Sequence, residues 1–218
     1  MTKQLHLVPF GRSLLCNVLG SLRISESKKN EWHGCGCCRH SDEGFTFDSV
    51  IDDLVKRGHK IHEYDVINGL YPIHVVIFTC QLSYIRWFIE KYDGAQDINK
   101  VTPTYNICPL LMAVRPKGRV LSFEKDVVAV VEYFIGLGAK LDIPDINGYD
   151  LLYYAVYSGY PQVFKLLLDN GVVLDLDKRY GNRDSVKRLT INEIIEEEKR
   201  NKDQLLEIIA SHGNNGLL

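Results

Sequence analysis

Residues 33–40 read His33-Gly34-Cys35-Gly36-Cys37-Cys38-Arg39-His40, which puts three of the chain's six cysteines and two of its seven histidines in eight positions. These residue types hold zinc or act as nucleophiles. Zinc takes four ligands in a tetrahedron, commonly as two pairs separated by a loop. Here Cys35 and Cys37 could bite one ion, with His33 or His40 third and Cys16 fourth, but the second ligand pair is missing. A thiol beside His33, Arg39 and His40 could be held as thiolate by those cations. A Cys–His hydrolase or transferase also needs an orienting Asp or Asn, and Asp42 and Asp48 are only nominal offers. The chain before residue 46 is scarcely long enough for a substrate cleft. An inserted loop whose thiols are tolerated in a reducing cell explains the segment most simply. The expectation is therefore no catalytic residue, no metal and no cofactor. A small cysteine-dependent enzyme and a zinc-stabilised adaptor stay open as alternatives.

The elements around that segment decide what it serves. A chain of 218 residues can bury a sizeable core as one large domain or two small ones. A net charge of −2 gives no global reason to expect nucleic acid or an anionic membrane as partner. No apolar run approaches the roughly 20 residues that span a bilayer. The first residues lack a clean signal-peptide core, so a cytoplasmic protein is expected. Phosphate-cradling Gly-rich loops, paired carboxylates at a recognisable spacing and a G-x-S-x-G elbow are all missing from the sequence.

Three stretches repeat one pattern: Gly69-Leu70-Tyr71-Pro72-Ile73-His74, Asn106-Ile107-Cys108-Pro109-Leu110-Leu111, and Gly148-Tyr149-Asp150-Leu151-Leu152-Tyr153. Each is a turn residue, two variable positions and a short apolar helix start. Each leads into a second apolar helix that ends at glycine: "LSYIRWFIEKYDGA", "FEKDVVAVVEYFIGLGA" and "PQVFKLLLDNG". The starts at 69, 106 and 148 are 37 and 42 residues apart, and "RPKGRVLSF" (115–123) holds an insertion in the middle copy. Upstream, Phe47, Val50, Ile51, Leu54 and Val55 form a helical stripe that Gly58 terminates. Downstream, "LTINEIIEEEKRNKDQLLEIIASHG" reads as two more helices with a charged outer face.

This pattern resembles the ankyrin repeat, with its period of about 33 residues and a Thr-Pro-Leu-His-type helix opening. Only Pro72-Ile73-His74 comes near the full signature; the Thr position holds Tyr71, Cys108 and Asp150, and Leu151 replaces the last proline. The resemblance implies an all-α fold, an ankyrin-repeat solenoid of antiparallel helix pairs with hairpin loops. Residues 1–45 would be an N-terminal helix and Cys/His-rich loop, 46–212 the repeat domain with its C-terminal helical cap, and 213–218 a tail. His74 would tie neighbouring hairpins, while His59 and His62 would face solvent.

The resemblance further implies a scaffold that binds another protein on its concave face; a monomer with no nucleic acid or membrane partner is expected. By alignment to the repeat, the partner-facing positions are Leu70, Val75, Phe78 and Thr79, then Ile107, Met112 and Arg115, then Tyr149, Tyr154, Tyr157 and Ser158. The main candidates are Phe78, Met112, Arg115, Tyr149, Tyr154, Tyr157 and Ser158. Large apolar and aromatic side chains of this kind dominate interface energetics. The apolar core positions of the third copy would be Leu152, Ala155, Val163, Leu166 and Leu167. Degenerate repeats, compact size and an acidic C-terminal helix resemble ankyrin effectors that intracellular bacteria inject into host cells; viral ankyrin proteins resemble the chain as well.

Overall fold

The computed structural model describes residues 47–66, 69–115, 124–181 and 188–215. Among them lie nine α-helices: α1 (Phe47–Lys56), α2 (Pro72–Ile77), α3 (Leu82–Lys91), α4 (Pro109–Val114), α5 (Glu124–Gly136), α6 (Leu151–Ser158), α7 (Pro161–Asp169), α8 (Ile191–Glu198) and α9 (Lys202–Asn215). Beyond a short 3-10 turn at Gly94–Asp97 there is no strand among the described residues, only the isolated bridges Asp65–Leu70 and Tyr180–Leu189. The protein is mostly helical, as the periodicities predict. The Cys/His segment at 33–40, the whole of 1–45 and the insertion at 116–123 lie outside the described residues. Helix α9 runs to Asn215, past the expected boundary at 212.

The first helices are short, six residues in α2 and α4, so packing rather than propensity must hold them. Proline at their first position costs no hydrogen bond there. The degenerate Thr position splits three ways. Cys108 Sγ accepts the Leu111 N–H at 3.4 Å, and Asp150 Oδ1 accepts the Tyr153 N–H at 2.8 Å, whereas Tyr71 offers no side-chain cap. At the C-terminal end, Thr190 and Glu193 form a capping box at the start of α8.

Helices pack in two layers. In one, α2 lies on α4, α4 on α6 and α6 on α8; in the other, α3 lies on α5, α5 on α7 and α7 on α9. Between them runs one core containing Ile77, Phe88, Leu110, Leu111, Phe134, Leu151, Phe164 and Leu167, all fully buried. Of the expected core positions Leu152, Ala155, Val163 and Leu167 are buried, but Leu166 is only half-buried. At the start of α7 the buried face falls on Val163, Phe164 and Leu167, which turns Leu166 toward the layer's edge.

Long-range hydrogen bonds repeat along the stack. The His74 ring N–H donates to the Ile107 carbonyl at 2.8 Å, and the Cys80 thiol reaches the Ala113 carbonyl, both across 33 residues. The next turns join through Ile146 N–H to the Tyr105 carbonyl and Asn106 Nδ2 to the Pro144 carbonyl. At the last junction Asn201 donates to the Gly159 carbonyl, and Gly159 has φ +71°. A Cβ there would sit 2.7 Å from Arg200 Cβ, so both the backbone angle and the close approach require glycine.

One cap crosses between elements. Tyr160 gives α7 no side-chain cap; instead Glu124, at the head of α5, accepts the Gln162 and Val163 N–H groups at 2.6 and 3.4 Å. Loss of such an N-terminal acceptor typically costs about 1 kcal/mol. Glu124→Ala is therefore expected to lower the urea midpoint by that equivalent with an unchanged slope. An unshifted midpoint would show that water replaces the carboxylate without loss.

Candidate functional site

Six residues beyond the start of each first helix stand Phe78, Arg115 and Tyr157, one on each successive pair. Phe78 is 41% exposed, Tyr157 37%, and Arg115 half-buried. Beside this row, the turns preceding α4 and α6 carry Tyr105 and Ile146 at their tips, 58% and 60% exposed. The Ile146–Tyr105 backbone bond holds these two tips together. Large apolar side chains thus remain open to solvent on both the first-helix layer and the turns. The tip residues escaped the sequence reading, although register counted from the turn residues Asn106 and Gly148 would have placed them there.

Other expected partner-facing positions close up. Tyr154 is only 6% exposed: its hydroxyl donates to Asp145 Oδ2 at 2.9 Å, and the Arg115 guanidinium lies 5.3 Å from its ring centre. Burial comes first among the causes that raise its phenol pKa, and hydrogen bonding to Asp145 adds to it. Ser158 is 9% exposed because its hydroxyl turns inward to the Val114 carbonyl at 3.0 Å. Ile107 is buried in the core. Leu70, Val75, Thr79, Met112 and Tyr149 are half-buried. Of the expected row, Phe78 and Tyr157 are the exposed members, and Arg115, Met112 and Tyr149 are half-buried beside them.

The histidines divide. Fully buried His74 has its pKa lowered to about 4, chiefly by burial; the Ile107 carbonyl and the charge of Asp97 oppose this only in part. His59 and His62 are half-buried rather than solvent-facing. His62 Nδ1 lies 2.6 Å from Asp97 Oδ2, and Lys100 Nζ lies 2.5 Å from Asp97 Oδ1. The physical reason is the fully buried Asp97 carboxylate, which must be met by charged or hydrogen-bonding partners.

Of the thiols, Cys80 and Cys108 are buried, and burial raises the Cys108 pKa, which disfavours thiolate chemistry there. Among the described residues no three His, Cys, Asp or Glu side chains gather as a metal set, and no helix is long and apolar enough to cross a membrane.

Residues 123–168 match the family model for ankyrin repeats (many copies), a stretch that takes in α5, α6 and all but the last residue of α7. The match supports an ankyrin-repeat protein, and ankyrin repeats are generally protein–protein interaction modules. No curated protein matches the chain.

Proposed function

We propose that the chain is a non-catalytic scaffold whose helix pairs form an ankyrin solenoid and whose concave, first-helix side binds another protein. The observation that carries this is the row Phe78–Arg115–Tyr157, flanked by the joined tips Tyr105 and Ile146. Aromatic and arginine side chains are the usual energetic centres of protein interfaces. Solvent-facing helix positions would otherwise favour Lys, Glu or Gln. The repeat domain is taken as 46–212, acting as a monomer in a cytoplasm. If the chain is a translocated effector of an intracellular pathogen, that cytoplasm is the host's; the support is its likeness to such proteins in compactness, degenerate repeats and acidic C-terminal helix.

The test compares wild type with Phe78→Ala/Tyr157→Ala and with Tyr105→Ala/Ile146→Ala in quantitative capture, followed by affinity measurement for the captured protein. Each pair is expected to weaken binding by about tenfold or more, the size of a modest hot spot. Circular dichroism should be unchanged. Equal capture by wild type and both variants would sink the reading.

A further inference from the structure

Tyr149, Tyr153 and Tyr157 recur at every fourth position and stack as a ladder. Ring centres of Tyr149 and Tyr153 are 4.2 Å apart with planes at 17°, and those of Tyr153 and Tyr157 are 5.7 Å apart at 11°. Tyr180, from the segment after α7, tilts against Tyr153 at 5.2 Å. Together with Glu197 and Glu198 of α8, these four rings line a cleft of about 140 Å³. Small-molecule pockets run to roughly 300–1,000 Å³, so this one is sized for a single side chain.

Its chemistry favours a cation. Phenol oxygens can accept hydrogen bonds there, and two carboxylates join them. Among the described residues no basic side chain lines the cleft. Around the Tyr153 phenol, burial acts first, and then Tyr149, Tyr157, Glu198 and Asp145 push its pKa upward. Rings of this cluster already collect the protein's own cations: Lys178 Nζ stands 5.0 Å over Tyr180, and Arg115 stands over Tyr154. Between the two basic side chains, arginine fits better. Its guanidinium stacks on aromatic faces, sheds water more readily than an ammonium and offers five N–H donors to carboxylates and phenol oxygens.

We infer that the Tyr149/Tyr153/Tyr157/Tyr180 cleft is a receptor for an arginine side chain of the partner protein. This rests on the partner-binding reading above and names the chemistry of what is bound. The probe is N-acetyl-arginine amide, titrated into full-length protein carrying ¹³C-labelled tyrosine and followed by NMR, beside the matching lysine and citrulline amides. Arginine amide is expected to shift the four cleft tyrosines saturably and to bind about tenfold more tightly than its neutral isostere citrulline, as a cation beside a carboxylate should. Glu198→Gln should weaken that binding about threefold or more while the melting curve stays put.

Citrulline binding as well as arginine, shifts spread over the remaining tyrosines, or full binding by the Glu198→Gln variant would each overturn the inference. Lysine amide binding equally well would overturn the choice of a guanidinium. If the arginine probe fails while a captured partner still responds to Phe78→Ala/Tyr157→Ala, the cleft alone is misread and the scaffold reading stands. If capture is indifferent to those variants, the scaffold reading falls whatever the probe does.

Discussion

Lowering the pH from 7 to 4 is expected to strip about 3 kcal/mol from the protein's stability through His74 alone. In the unfolded chain this imidazole takes up a proton near the ordinary value of 6.5, but in the fold only near 4. Between those values the unfolded state binds more protons, so stability falls as pH drops from 6.5 and levels off once the folded form also protonates. The physical cause is burial: an imidazolium with no exposed surface would be desolvated, and the Ile107 carbonyl and the charge of Asp97 offset this only in part. Urea titrations across this range should be run on wild type and His74→Gln, which keeps an N–H donor for Ile107. The variant should be less stable at pH 7 yet lose about 3 kcal/mol less on acidification. Parallel losses in the two proteins would exclude His74 as the cause.

Tyr154→Ala is expected to cost about 3–5 kcal/mol, the usual penalty for truncating a buried aromatic. The ring fills the core beside Tyr149 and Tyr153, and its hydroxyl serves Asp145, which also accepts the Asn147 and Tyr149 N–H groups on its other oxygen. Tyr154→Phe keeps the ring but leaves one carboxylate oxygen of buried Asp145 without its donor, at a cost of about 1–3 kcal/mol. Tyr157→Ala, at an exposed site, should stay within about 1 kcal/mol. Denaturant midpoints for the three variants give the ranking directly. If Tyr154→Ala melted like Tyr157→Ala, Tyr154 would have to be solvent-facing, and the geometry around Asp145 would be wrong.

That contrast bears on any binding assay. A double variant at Tyr154 and Tyr157 would lose affinity through unfolding as well as through lost contacts. Phe78 and Tyr157 are the cleaner pair because both rings are open to solvent.

The sequence by itself determined the helix pairs and their order. Apolar spacing, glycine stops and proline starts are local signals, and each helix read from residue 47 onward is present among the described residues, from Phe47–Lys56 to Lys202–Asn215, while the expected N-terminal helix lies outside them. The resemblance to the ankyrin repeat opening also implied that His74 ties a neighbouring copy, and its ring donates to the Ile107 carbonyl. What the sequence could not determine was which of two tyrosines three residues apart is buried. Tyr154 closes inward because Asp145 and Arg115, 9 and 39 residues upstream, meet it in space, and neither distance leaves a local trace. Ser158 turns inward for the same kind of reason, toward a carbonyl 44 residues away. Leu166 and Leu167 are equally apolar, yet only the crossing of α5 and α9 over α7 decides that Leu167 is buried and Leu166 half-open. The tyrosine cleft exists only where Tyr180 and the carboxylates of α8 are brought back against α6. Helix formation answers to neighbours within one turn, whereas burial answers to whatever the stack lays on top.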